Sequence, residues 1–142
     1  MKLNEVLNSA VRYNWTVDDE GYQEAQFEVN GKDYTIAFVL QMRYMDGLPP
    51  RWDIEFALDP PKDDHVSPGR TDVTGTGDQF IVMSTIQQII RDWAYEAKDV
   101  QCITMTALTS SRKKLYTRML QNTFKGWKIH LKGDILIVLP PD

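Results

Sequence analysis

Apolar and polar residues alternate along several stretches of this chain and recur at helical spacing along others. Tyr34, Ile36, Phe38, Leu40 and Met42 alternate with Thr35, Ala37, Val39 and Gln41, which predicts a strand with one strongly apolar face. Tyr22 to Val29 precedes it, joined through Asn30-Gly31. Asn-Gly tolerates the positive φ angles of a type I′ turn, whose twist matches the strands it joins. Tyr13 to Val17 predicts a shorter strand before an acidic turn, Asp18-Asp19-Glu20-Gly21. After the break at Asp46-Gly47-Leu48-Pro49-Pro50, Trp52, Ile54, Phe56 and Leu58 alternate with Asp53, Glu55 and Ala57. The first half therefore predicts an antiparallel meander, preceded by a short helix on Leu3, Val6, Leu7, Ala10 and Val11.

The period changes in the second half. Val82, Ile86, Ile89, Trp93 and Ala97, with Met83 and Ile90, form one broad stripe and predict a helix over Gln79 to Ala97. Asp78 suits its N-cap, because a carboxylate accepts the free N–H groups of a first turn. Val100 to Leu108 is rich in β-branched and apolar residues on both faces, as a central strand should be. Ser110 or Ser111 can cap a helix over Arg112 to Phe124, with Leu115, Met119 and Leu120 inward. Trp127, Ile129 and Leu131 predict one strand and Ile135, Ile137 and Leu139 the next, turning at Lys132-Gly133-Asp134. Asp59 to Arg70 is long for a structureless connection, a length that often accompanies function.

Composition narrows the class. At 142 residues the chain predicts one domain over 1–142, large enough to bury roughly two-thirds of its unfolded surface. A net charge of −4 and a pI near 5.1 argue against a general nucleic-acid binder, though not against a local basic patch. The single cysteine, Cys102, excludes an internal disulfide and lies in an apolar strand pattern, so it reads as a small buried hydrophobe. Met1-Lys2-Leu3-Asn4-Glu5 lacks the apolar run of a signal peptide, and no stretch reaches the ~18 apolar residues of a membrane span. A cytoplasmic location is expected: host cytoplasm or virion if the chain is phage-encoded.

The order of elements, together with Asp72-Val73-Thr74-Gly75-Thr76-Gly77 before one helix and Arg112 to Leu120 in the next, resembles the GNAT family of N-acetyltransferases nearly end to end. The first segment stands where that family has its Gln/Arg-x-x-Gly-x-Gly/Ala loop, and the second resembles its late Leu-Tyr helix. The chain also resembles small phage-encoded proteins of unassigned role that share Thr-Gly-Thr-Gly-Asp and Ser-Arg-x-Lys-Leu-Tyr. The family likeness implies an α+β fold: a mixed, mostly antiparallel twisted sheet of about seven strands, three helices on both faces, and a cleft where strands four and five part.

The likeness also implies a site. Gly75, Thr76, Gly77 and Asp78, with Arg112, would meet coenzyme A, through backbone N–H groups and a helix dipole that favour a pyrophosphate. Tyr116 matches the tyrosine that protonates a leaving thiolate, and Asp53 or Glu55 would take a proton from an ammonium acceptor. The cleft lining implied is Phe56, Ala57, Met105, Thr106, Gly75, Gly77 and Tyr116. Three departures bear on this. Asp72 replaces the Gln or Arg, Asp78 brings a carboxylate to the anion site, and Ser110 and Ser111 replace an Asn.

Other chemistries find less support. His65 and His130 lie in different elements without metal-ligand spacing, and no nucleophile elbow is present. His65-Val66-Ser67 is half of a paired phosphoesterase motif whose second copy is absent. Arg112, Lys113, Lys114, Arg118 and Lys125 concentrate positive charge around one helix, where the phosphates of coenzyme A, RNA or an acidic protein could bind.

The departures put first a GNAT-like phage protein without catalysis that binds a host or virion protein. An acetyl-CoA-dependent N-acetyltransferase follows, then a small-ligand or nucleotide-binding module. A homodimer through the closing hairpin, with Ile135 to Leu139 as an edge, is a further expectation.

Overall fold

A computed structural model describes residues 10–41, 50–58, 78–97 and 100–141, the side chains of Leu58 and Asp78 excepted. These residues form β1 (Tyr13–Asp19), β2 (Tyr22–Val29), β3 (Lys32–Gln41), β4 (Arg51–Leu58), α1 (Asp78–Glu96), β5 (Ile103–Thr106), α2 (Ser110–Thr123), β6 (Lys128–Lys132) and β7 (Ile135–Leu139). The fold is α+β, with a seven-stranded sheet in the order β1-β2-β3-β4-β5-β7-β6. All neighbours are antiparallel except β4 and β5, which run parallel.

Local chemistry explains most of these elements. Asn30 and Gly31 have φ of 50° and 78°, the left-handed pair that the β2–β3 hairpin requires. α1 follows its apolar stripe, and Val82, Ile86, Ile89, Ile90 and Trp93 are buried. Ser84 and Thr85, also buried, bond back to the carbonyls of Phe80 and Ile81 at 2.8 Å. The Val11 N–H then donates to Thr85 Oγ1 at 3.0 Å, which ties the chain before β1 to the middle of α1.

Alternation assigns one face of the sheet to the core. Ala25, Phe27, Ile36, Phe38, Ile54, Phe56, Ile103, Met105, Leu136 and Val138 share that face by register and are buried. α1 and α2 touch each other, and their buried residues belong to the same core. Both described helices therefore pack on this core face. The expected first helix falls mostly on residues 1–9, outside the described residues; Ala10 and Val11 are not helical.

Three further expectations change. Thr109, not Ser110 or Ser111, caps α2, its side chain accepting from the Arg112 N–H from an extended backbone. Tyr116, with Met119 and Leu120, is buried on α2, while Leu115 is only half-buried. Ile135–Leu139 is not an edge: β7 lies between β5 and β6, because Leu136, Ile137 and Val138 are buried together and need cover on both faces. The edge is β6, whose Lys128, His130 and Lys132 are exposed. Two copies paired antiparallel about His130 would set Lys128 against Lys132, a like-charge contact that disfavours a dimer through this hairpin.

Candidate active-site cleft

The cleft begins where a ladder stops. β4 and β5 pair only at Trp52 with Ile103, Asp53 with Thr104 and Ile54 with Met105, plus one bond from the Trp52 N–H to the Cys102 carbonyl at 2.9 Å. β4 continues to Leu58, whereas β5 ends at Thr106. The sheet opens beyond that short seam. The opening is a cavity of ≈ 320 Å³, with Asp53, Glu55 and Phe56 on one wall, Thr104, Met105 and Thr106 on the other, and Arg112 and Tyr116 from α2.

Strand parity sets the wall chemistry. Ile54 and Phe56 face the core, which turns Asp53 and Glu55 the other way. Asp53 is 25% exposed and accepts from Arg51 Nε at 3.2 Å and from the Thr104 hydroxyl across the seam. Burial raises its pKa, opposed by the Arg51 guanidinium and a hydrogen bond from Gln41. Glu55 is exposed at the mouth. Tyr116 is 4% exposed, and burial raises its phenol pKa against the pull of Arg112, so it holds its proton at neutral pH. Cys102, behind the seam, is buried with its thiol pKa pushed up by desolvation, which suits a packing role.

The cavity thus gathers Asp53, Glu55, Tyr116 and Arg112, four residues drawn from distant parts of the chain. Of the other expected lining residues, Phe56, Met105 and Thr106 are present and Ala57 is not. Gly75, Thr76 and Gly77 lie outside the described residues, and so does the side chain of Asp78, although its backbone opens α1. Asp78 as N-cap, and the anion loop itself, are therefore not described. Two residues of the cleft escaped sequence reasoning. Thr104 and Arg51 hold Asp53, and only the parallel register, which no local pattern encodes, brings Thr104 beside it.

A second cavity, ≈ 580 Å³, lies at the other end of the sheet among Tyr13, Trp15, Asp18, Asp92 and Trp93. Two of its carboxylates are already engaged: Tyr13 and Gln88 donate to Asp92, and Gln23 donates to Asp18. Among the described residues, no group of three or more His, Cys, Asp or Glu could hold a metal ion. No described helix is long and apolar enough to cross a membrane.

No family model matches the sequence, and no curated protein matches it. One solved structure, titled as the crystal structure of a KacTA–DNA complex, aligns with a TM-score of 0.40 at 14% identity. The alignment covers 84% of this chain and 69% of that chain. A likeness of that size carries no functional inference.

Proposed function

We propose that this chain has a GNAT-like fold and that the cleft is an acyl-transfer site, taking an acyl group from a coenzyme A thioester to an amine. The observation that carries this reading is the three-pair seam between β4 and β5. It leaves an opening in mid-sheet where a carboxylate pair, a protonated phenol and a guanidinium meet. A thin, extended thioester arm fits between two parting strands, and the bound thioester supplies the electrophilic carbonyl.

The chain's own groups then have distinct tasks. Glu55, at the mouth, is the first carboxylate an incoming ammonium meets, and it takes the amine proton. Asp53, held by Thr104 and Arg51 and with a raised pKa, fixes the wall behind it. The free amine attacks the carbonyl, the carbon–sulfur bond breaks, the Tyr116 hydroxyl gives its proton to the leaving thiolate, and the remaining surplus proton on nitrogen passes to water, from which the Tyr116 phenolate is reprotonated. The high pKa of Tyr116 supports this role, because a phenol that stays protonated is available as an acid. Arg112 offers positive charge beside the forming thiolate.

One observation favours a second reading. The Asp53 carboxylate is already engaged by three donors, Arg51, Thr104 and Gln41, as in a structural rather than a reactive acid. On that reading the chain is of the small phage-encoded kind, keeps the fold without catalysis, and binds a host or virion protein. Acetyl-CoA separates the two. Binding only to the native state raises Tm by mass action. A Tm rise together with thiol release in the presence of amines supports the acyltransferase. A rise without turnover indicates a ligand-binding module. No rise at millimolar acetyl-CoA leaves the partner-binding reading.

A further inference from the structure

The charge on this chain is divided unevenly. Residues 110–134 hold seven Lys or Arg and one Asp, although the whole chain holds 16 basic and 20 acidic residues. The remainder therefore carries nine basic residues against nineteen acidic ones. The overall acidity hides a strongly basic end made by α2 and the turn after it.

α2 presents this charge in an ordered way. Ser111, Lys114, Arg118, Gln121 and Lys125 are exposed and follow one another at steps of three or four, which is a single helical stripe running into the following turn. Lys113, Lys114, Thr117, Arg118 and Gln121 line a shallow groove of ≈ 360 Å³ whose far side is Leu131 on the edge strand. The helix contains no acidic residue, so no ion pair forms within it, and Lys113 reaches Asp134 in the turn between β6 and β7 at 3.1 Å. Lys114 and Arg118 instead face each other as like charges one turn apart. Arg112 and Lys113 also sit in the first turn, where the helix dipole disfavours cations. A merely solvated face would mix signs, and the Lys114–Arg118 pair works against its own helix unless an anion lies against it.

We propose that the outer face of α2 docks on the phosphate backbone of a double-stranded nucleic acid, without regard to sequence. Lys114 and Arg118 lie ~6 Å apart along the helix axis, and the stripe extends the charge to Lys125. Thr117 and Gln121 interleave with the cations, the neutral donors that accompany Lys and Arg on phosphates. Leu131 is the exposed apolar residue of the groove, and no aromatic lines it, so the groove offers no platform for stacking unpaired bases. That favours a duplex over a single strand. The face lies outside the cleft and does not depend on acyl transfer.

The test is fluorescence anisotropy of the full chain with a labelled random-sequence DNA duplex. With Lys114, Arg118 and Lys125 neutralising about three phosphates, affinity is expected to fall ~40-fold between about 50 and about 200 mM salt. Lys114→Gln with Arg118→Gln replaces two exposed side chains, relieves their mutual repulsion and so does not lower Tm, leaves the acetyl-CoA response unchanged, and reduces the salt slope by about two-thirds. Absence of duplex binding at about 50 mM salt overturns the proposal, and so does a salt slope that the double variant does not alter. Tighter binding to polyglutamate, or to phosphatidylserine vesicles, overturns it in favour of an acidic protein or a membrane surface.

Discussion

The Thr104 hydroxyl donates a hydrogen bond to the Asp53 carboxylate across the parallel seam between β4 and β5. The two residues are also backbone register partners, so one side-chain contact ties the cleft's carboxylate to the strand on the far side of the gap. Thr104→Val keeps the shape and removes the donor. A hydrogen bond to a charged group contributes about 1.5–3 kcal/mol, and urea unfolding is expected to show a loss in that range. Thr104→Ser should recover most of it. Equal stability of all three proteins would mean that the seam does not depend on this contact.

Asp53 gives the chain a pH dependence of definite sign. Its folded-state pKa lies above the ordinary value of 3.8, chiefly because burial disfavours the anion. The native state therefore holds this proton more tightly than the unfolded chain. The resulting stabilisation is complete below about 3.8 and is lost as pH rises through the folded-state value. Asp53→Asn should lack this component. The stability difference, wild type minus variant, is expected to fall across that interval and then level off. A flat difference in paired urea titrations would count against the raised pKa.

Tyr116→Phe removes the phenol proton and little else from a buried position. General acid catalysis contributes typically about 10²–10⁴-fold. With acetyl-CoA and an amine acceptor, kcat is expected to fall by at least ~10²-fold while KM for acetyl-CoA stays within about twofold. Retained turnover removes Tyr116 from the reaction. Glu55→Gln should lower kcat as well while leaving Tm unchanged, because Glu55 is exposed.

The opposite end of α1 supports the fold rather than the cleft. Trp93 stacks on Phe38 with centroids 4.5 Å apart, meets Trp52 edge-on at 5.4 Å, and donates through Nε1 to Gln23 at 2.8 Å. Trp93→Phe keeps much of the apolar contact and leaves the Gln23 oxygen short of a donor, at a cost of about 1–3 kcal/mol. Trp93→Ala should cost about 3–5 kcal/mol. Chemical denaturation reads both. Acetyl-CoA affinity of the folded Trp93→Phe protein is expected to be unchanged.

Gly31 tests the hairpin. An added Cβ meets nothing within 4 Å, so any cost comes from its φ of +78°. Gly31→Ala should destabilise by roughly 1–2 kcal/mol, the penalty of left-handed backbone for an L-residue. No measurable change would mean that the turn relaxes.

Elements governed by near neighbours were legible in the sequence. Asn30-Gly31, the stripe of α1 and the alternation of β4 each depend on residues a few positions apart, and each appears where the pattern placed it. What depended on distant pairing was not legible. Val100–Leu108 is rich in apolar and β-branched residues, yet only Ile103–Thr106 is strand, because the ladder to β7 spans just those four residues and the one to β4 only three of them. The insertion of β7 between β5 and β6 follows from its two-sided burial, which a five-residue apolar run does not announce. Thr109 displaced two serines as the cap because a β-branched residue favours the extended backbone (φ −123°, ψ 157°) from which its hydroxyl reaches the third N–H onward. Asp53 and Glu55 were legible as a pair from strand parity, but the partners that distinguish them, Thr104 and Arg51, were not.

The brevity of the β4–β5 ladder has a mechanical consequence. β1 to β4 and β5 to β7 form two plates with long or fully paired ladders of their own, joined by a hinge only three pairs wide. Twisting about that hinge changes the width of the gap and disrupts neither plate, so the gap can breathe while the chain stays folded. Amide protons at the hinge should then exchange with solvent well before those in the middle of β2 and β3.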